Sequence, residues 1–366
     1  MAERGTVPRV PAVRRRALAL ARSFTSPLAP DDYLELINPL WSTRELRGRV
    51  ERIERETADA VTVLIRPGWE WPGHRPGQYL RLGIEVDGVH HWRAYSLTSD
   101  PGRPDGRIAI TPKLVPGGAV SPHLCTRLAP GAVVRLGGVE GSFVLPDPLP
   151  RRLLFVSAGS GITPIASMVR HLARTDAPTD LLHVHCSRDA AGAIFGPELR
   201  DLAARRPRYA LIERHTGREG RLRAEELDSI CPDWRERETF VCGPAGLLAA
   251  IKDRFERDGD PARLHHEHFQ PDGLIDPARV GSGGSISLCR SGVQAHSDGT
   301  QSILQAGEEA GAELPFGCRM GICHSCTGRL RSGKVRDLRT GRIHGQAGEM
   351  LQTCVSAPEG AIEVDL

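Results

Sequence analysis

Four cysteines near the end of this chain, Cys318, Cys323, Cys326 and Cys354, follow the spacing C-x4-C-x2-C with a distant fourth. Three thiolates from one loop and one from elsewhere can converge on two irons, a known ligand spacing for a [2Fe–2S] cluster. Zinc is the alternative, but structural zinc ligands usually come as two close pairs such as C-x2-C…C-x2-C. Gly317, Gly321 and Gly328 punctuate the loop, so its backbone can bend around a cluster and aim N–H groups at sulfur. The pattern predicts one-electron chemistry with all four cysteines as ligands.

A second set of residues suits a flavin nucleotide. Arg93-Ala94-Tyr95-Ser96 lies at the end of a strand-like run. Arg93 offers paired N–H donors to a phosphate, while Tyr95 and Ser96 offer an aromatic face and a polar contact to a flat ring. In an alternating strand Arg93 and Tyr95 share one face and Ser96 points elsewhere. Read alone, the segment is equally a mixed strand with an exposed Arg and a packed Tyr. Downstream, Gly117-Gly118-Ala-Val-Ser121 precedes a short helix, whose first N–H groups can cradle a pyrophosphate.

A third set suits a pyridine nucleotide. Gly159-Ser-Gly161-Ile-Thr163-Pro164 joins a strand to a helix, and Val241-Cys242-Gly243-Pro244 ends a later strand. Both fall at C-terminal ends of parallel strands, where open α/β sheets bind ligands. The first is not G-x-G-x-x-G, because Pro164 replaces the third glycine. Alternatively, Cys242 is only a small buried residue. Arg188 follows the strand where an adenosine ribose would lie; a cation there can pair with a 2′-phosphate, so NADPH is expected over NADH.

The elements that must position these residues change character along the chain. Runs at Gly48–Glu56, Ala60–Pro67, Gln78–Val86, Val89–Leu97, Gly106–Leu114 and Ala132–Val139 read as strands, with a helix at Ser121–Leu128 and a tight turn at Asp87-Gly88. They predict a closed antiparallel β-barrel over residues 45–148. From 149 to 269, strands at Leu153–Ser157, Leu181–Ser187, Tyr209–His215 and Thr239–Cys242 alternate with helices at Thr163–Ala173, Pro197–Arg205, Ala224–Ile230 and Ala245–Arg257. That alternation predicts a parallel doubly wound α/β sheet, with His265–Phe269 as a last strand and Thr163 capping its helix. A Gly-rich linker spans 270–284. Residues 285–366 show a strand (Ser285–Arg290), a helix (Ser302–Ala310), the cysteine loop and a final strand (Ala361–Leu366).

The 366 residues, formal charge of +3 and ordinary apolar content fit a soluble multidomain protein and give no argument for nucleic acid. No apolar run is long enough to span a bilayer. Nine cysteines without a paired framework suit a reducing cytoplasm. Residues 1–24 carry six arginines against one acid. This N-terminal extension (1–44) reads as a tail or covering helix, with peripheral contact to the inner face of a membrane through residues 1–45 as the alternative.

These motifs together resemble the ferredoxin–NADP reductase superfamily, specifically single-chain reductases with a C-terminal plant-type ferredoxin domain of β-grasp fold. The resemblance rests on R-x-Y-S, the Gly/Ser loop, A-G-x-G-I-T-P, V-C-G-P, Glu267-His-Phe269 and the cysteines. It implies that Arg93 and Ser121 hold pyrophosphate with Gly117 and Gly118, and that Tyr95, beside Ala94, stacks on the isoalloxazine. Ser96 would contact N5, with FAD expected and FMN the alternative. It places Gly159, Gly161, Thr163, Cys242 and Gly243 at NAD(P)H, and brings Glu267 and Phe269 towards the flavin; Ser96, Cys242 and Glu267 are the implied catalytic residues. A hydride delivered to the flavin then leaves as single electrons through the cluster.

Such reductases serve oxygenases, hydroxylases or desaturases. The Asp-Asp-Tyr-Leu…Asn-Pro-Leu-Trp stretch is similar to that of actinobacterial reductases serving membrane-bound di-iron fatty acyl desaturases. Alternatives are the reductase of a ring-hydroxylating dioxygenase or other soluble oxygenase, a redox-sensing module, and a self-contained quinone or flavin reductase.

Overall fold

The computed structural model describes residues 35–42, 44–269, 281–317, 321 and 324–366. Most of the N-terminal extension and of the expected linker, with Cys318 and Cys323, lie outside the described residues. Six strands build the first sheet: β1 (Arg47–Thr57), β2 (Ala60–Pro67), β3 (Tyr79–Val86), β4 (Val89–Ser96), β5 (Ile108–Ile110) and β6 (Val133–Glu140), in the order β4-β3-β6-β1-β2-β5. Alternation drives it: Val61, Val63 and Ile65 point into one core with Leu80, Leu82, Val134 and Leu136. A bridge between Leu97 and Ile110, with the Thr98 N–H donating to Ala109 at 2.8 Å, joins the chain beyond β4 to β5. The barrel is thereby closed, as expected.

Local chemistry sets the differences from the predicted boundaries. Asp87 and Gly88 both take positive φ, +49° and +81°, so the two-residue turn between β3 and β4 is correct. The strand expected over Gly106–Leu114 shrinks to Ile108–Ile110, because Gly106 sits in a turn at φ +64° and Pro112 has no N–H for a ladder. The helix expected at Ser121–Leu128 is α1 (Val120–Thr126).

The second sheet holds β7 (Arg152–Ala158), β8 (Asp180–Ser187), β9 (Tyr209–His215), β10 (Glu238–Cys242) and β11 (Leu264–Glu267), ordered β11-β10-β7-β8-β9 with every neighbour parallel. The main helices are α2 (Ile162–Arg174), α3 (Gly196–Arg205) and α4 (Ala245–Asp258). Leu154, Val156, Val184 and Cys186 pack with Leu248, Ile251 and Phe255 of α4, while Leu153, Phe155 and Ser157 are fully buried on the opposite parity. Both faces are covered, as a parallel sheet requires. The order reverses between β7 and β10, which makes the ends of those two strands the switch point.

Three expectations need correction here. Thr163 does not cap α2, which already begins at Ile162; its Oγ1 donates to the Ser160 carbonyl at 2.9 Å. The helix expected over Ala224–Ile230 is a 3-10 turn (Ala224–Glu226) running into one α-turn (Leu227–Ile230). The last strand ends at Glu267, not Phe269.

Residues up to Glu267, less His91–Ala94, form one compact unit, and His268–Leu366 with those four form another. In the second, β12 (Gly284–Leu288) and β13 (Val293–Ser297) make a hairpin, and α5 (Ile303–Glu309) follows. Then come β14 (Thr327–Ser332), β15 (Val335–Asp337), β16 (Ile343–His344), β17 (Met350–Gln352), β18 (Ser356–Pro358) and β19 (Ile362–Asp365). The main sheet is ordered β13-β12-β19-β14-β17, with β12 and β19 parallel. Ser302 and Gln305 form a capping box that starts α5, whose Ile303, Leu304 and Ala306 pack on Ile286, Leu288, Leu330 and Val364.

Candidate functional site

The second unit brings two of the four predicted cysteines together. Cys326 precedes β14 and Cys354 follows β17, neighbours that pair through Thr327 and Gln352. Their sulfurs lie 3.1 Å apart and the residues are only 1% and 8% exposed. The Gly321 N–H points at the Cys354 sulfur at 3.2 Å, and Thr353 ties down the Cys326 carbonyl through both its N–H (3.1 Å) and its hydroxyl (2.9 Å). Two convergent buried thiols with a backbone donor aimed at one of them fit an iron–sulfur centre. Cys318 and Cys323 complete the predicted set from outside the described residues.

The end of β4 carries the flavin-type residues, Tyr95 and Ser96 belonging to the first unit and Arg93 and Ala94 to the second. Tyr95 packs partly against the barrel core, and Arg93 donates to its neighbour's carbonyl, that of Trp92, at 2.8 Å. Ala94 is half-buried. Ser96 is buried, and its Oγ has no hydrogen-bond partner among the described residues. An enclosed hydroxyl without a partner is costly unless something else binds there, which fits a polar group of a bound flavin. In the Gly/Ser loop, Gly117 takes φ +74° with open space beside it. Ser121 Oγ accepts the Val115 N–H at 3.0 Å, which leaves its own proton to donate. No side chain caps α1, so its first amides remain open to an anion.

The two nucleotide motifs meet at the switch point. Gly159 has φ +55° and Gly161 lies so close to the other motif that a Cβ there would fall 2.1 Å from the Cys242 carbonyl oxygen and 2.8 Å from the Gly243 nitrogen. Cys242 is fully buried, and burial first, then the Glu267 carboxylate, lifts its thiol pKa well above the ordinary value. Glu267 stands opposite Cys242 in the β10–β11 register. The residue keeps some surface, but its Oε2 is enclosed without a hydrogen-bond partner among the described residues, and desolvation pushes the carboxyl up to about 8. Arg188 is exposed past β8, and its carbonyl accepts the Gly217 N–H from the single helical turn (Thr216–Glu219) beyond β9 at 2.9 Å. Phe269, half-buried, lies two residues past β11.

Residues not foreseen from sequence join the barrel to the parallel sheet. Arg170 of α2 donates to the Thr98 carbonyl at 2.5 Å and grips Glu198 with two bonds; Ser167 donates to the Ser99 carbonyl at 2.7 Å. Asp100 accepts from Arg174 and pairs with His171 at 3.3 Å. The segment just beyond the flavin strand, Thr98–Asp100, and the helix of the first nucleotide motif are thus clasped directly together. Nothing at these positions signals a partner some seventy residues away. Equally unforeseen, Ser157 Oγ sits 2.8 Å from both His183 Nε2 and His185 Nδ1, and His183 Nδ1 is 2.9 Å from the Tyr209 hydroxyl, all inside the sheet.

Residues 70–145 match a family model described as an oxidoreductase FAD-binding domain, residues 155–253 an oxidoreductase NAD-binding domain, and residues 286–359 a 2Fe-2S iron-sulfur cluster binding domain. The chain is 47% identical to an NADPH oxidoreductase of Mycobacterium tuberculosis over 350 residues, spanning 95% of this chain and 91% of that protein. It is 31% identical to a glycine betaine monooxygenase reductase subunit of Pseudomonas aeruginosa over 318 residues, 80% and 87% of the two chains. In fold it is similar to phthalate dioxygenase reductase, with a TM-score of 0.58 at 23% identity over 87% of this chain and 97% of that one.

Proposed function

Because the chain belongs to the ferredoxin–NADP reductase superfamily, as a single-chain flavin reductase with a C-terminal plant-type [2Fe–2S] domain, we propose that it draws on NADPH to supply single electrons to an oxygen-activating enzyme. It is an NAD(P)H:acceptor oxidoreductase that uses FAD, NAD(P)H and a [2Fe–2S] cluster. When bound, FAD takes a hydride from NAD(P)H and yields its electrons singly, and the cluster carries one at a time. The carrying observation is the order of FAD-, NAD- and cluster-binding domains in one chain.

The protein's own residues position and gate that transfer. Arg93, Ser121 and the Gly117–Gly118 loop hold the flavin pyrophosphate, Ala94 and Tyr95 line its ring, and Ser96 donates to its reactive edge. Gly159, Gly161 and Thr163 let the nucleotide approach the backbone, with Cys242 and Gly243 beside the nicotinamide. Glu267, neutral below about pH 8, holds a proton beside Cys242. The preference for NADPH is supported by the exposed Arg188 and by the 47% identity to the NADPH oxidoreductase of Mycobacterium tuberculosis. Cys318, Cys323, Cys326 and Cys354 ligate the cluster.

The acceptor is an oxygenase component, as the reductase subunits among the relatives indicate. The finer reading is a membrane di-iron fatty acyl desaturase or hydroxylase. It is supported by Leu36 and Ile37, 81% and 71% exposed in the N-terminal stretch, which suit contact with an apolar partner or membrane surface. Among the described residues no helix is long and apolar enough to cross a membrane. A soluble oxygenase is the second reading, favoured by the relatives' names. Reconstituted turnover with each acceptor class, with and without residues 1–45, decides between them. Turnover of a membrane desaturase that ignores the deletion removes the membrane-contact reading, and turnover only with a soluble oxygenase removes the desaturase.

A further inference from the structure

Arg339 is anchored away from the cysteines and reaches towards them. Its Nη2 donates to Asp337 Oδ2 at 2.7 Å, and Asp337 Oδ1 accepts Arg339 Nε at 3.3 Å and its backbone N–H at 2.8 Å. On its far side Nη1 donates to the Gly321 carbonyl at 3.1 Å, and Nη2 reaches Gln352 Oε1 at 3.4 Å. Gln352 Nε2 in turn meets His324 Nδ1 at 3.0 Å. Gly321 and His324 have φ +70° and +57°, so two left-handed positions of the cysteine loop are tied to one guanidinium, one directly and one through Gln352. His324 pays a steric cost for that conformation, which persists only where surrounding contacts fix it.

The residue that Arg339 grips by its carbonyl also serves Cys354, through the N–H of its preceding peptide. The Gly321 N–H points at the Cys354 sulfur, and the guanidinium holding the Gly321 carbonyl fixes the backbone turn that aims this donor. A Cβ at Gly321 would fall 2.6 Å from Arg339 Nη1, so the close approach needs glycine. An added electron makes the cluster more negative; a fixed cation nearby favours that state, and a nearby carboxylate opposes it.

We propose that Arg339 is a positioning residue of the iron–sulfur centre, holding Gly321 against Cys354 and, balanced by Asp337, setting how readily the cluster accepts an electron. The inference rests on the [2Fe–2S] reading. The test is an EPR-monitored redox titration of the full-length holoprotein and its variants, with iron content and NADPH:ferricyanide reduction as a flavin-only control. Arg339→Gln shifts the cluster midpoint to more negative potential, Asp337→Asn shifts it to more positive, and Arg339→Lys stays near wild type. A purely structural role moves both neutralising variants the same way, so shifts of one sign, or none, overturn the proposal. Should Arg339→Gln lose its cluster, Arg339→Lys must still load one and titrate near wild type; failure there also overturns it. A wild-type protein without a cluster signal instead removes the underlying reading, and the ferricyanide control separates either result from misfolding.

Discussion

Gly161 rests against the carbonyl of Cys242, with room for no more than a hydrogen between them. Two motifs eighty residues apart are locked into one surface by that contact, and β7 and β10 hold the register behind it. Gly161→Ala therefore forces the loops apart. Overpacking of this kind costs about 1–3 kcal/mol. Thermal denaturation of the variant should show that loss, and stopped-flow mixing with NADPH should show slower flavin reduction with flavin content unchanged.

Glu267, the proposed proton holder beside Cys242, should make flavin reduction pH-dependent. Its carboxyl ionises only near pH 8, so the proton is present at neutral pH and lost above that value. Because the folded pKa is raised, any stability linked to this proton is fully present below the ordinary carboxylate range and declines as pH rises to about 8. Flavin reduction by NADPH should fall across an inflection near pH 8, and Glu267→Gln should flatten that inflection. A profile identical in both proteins removes Glu267 from the site.

His183 and His185 act in the opposite sense. Burial, with repulsion from His185, holds His183 well below its usual value, and burial with His215 nearby lowers His185 to about 4. Depressed pKa values mean the unfolded chain takes up protons first, so stability present above pH 6.5 is lost as pH falls towards 4. For His185 alone the loss reaches roughly 3 kcal/mol at the acid end. Calorimetry between pH 7 and 5 should show falling Tm, with a shallower slope in His185→Asn.

Much of this site was legible because its chemistry is local in sequence. Asp87-Gly88 announced its turn through residues that tolerate positive φ, and the cysteine spacing announced a cluster. What sequence could not supply was the meeting of distant segments. Asp100 and Arg174, or Ser157 and His183, are joined by topology rather than by pattern. Short strands such as β15 (Val335–Asp337) and β16 (Ile343–His344) carry too few residues for alternation to show. Thr163 misled for a similar reason: a good capping residue sat two positions past the cap, which Gly161 occupies, because the glycine turn itself opens the helix.

Cofactor preference tests the outer end of the nucleotide site. Arg188 is exposed and held at its backbone by Gly217, so its removal should spare the fold. Arg188→Ala should raise KM for NADPH about tenfold, equivalent to ~1.4 kcal/mol, and leave KM for NADH nearly unchanged. Steady-state kinetics with both nucleotides reads this directly, and equal effects would end the argument for a 2′-phosphate contact.

The central claim is that paired reducing equivalents enter at the nucleotide site and leave one by one through the cysteine-held centre. Anaerobic mixing of the holoprotein with NADPH, followed by optical and freeze-quench EPR, tests it most directly. The account predicts flavin bleaching followed by a rhombic iron–sulfur signal; in Cys326→Ser that signal and cytochrome c reduction vanish while ferricyanide reduction persists. A wild-type cluster that stays oxidised beside a reduced flavin, or full cytochrome c reduction by Cys326→Ser, would contradict it.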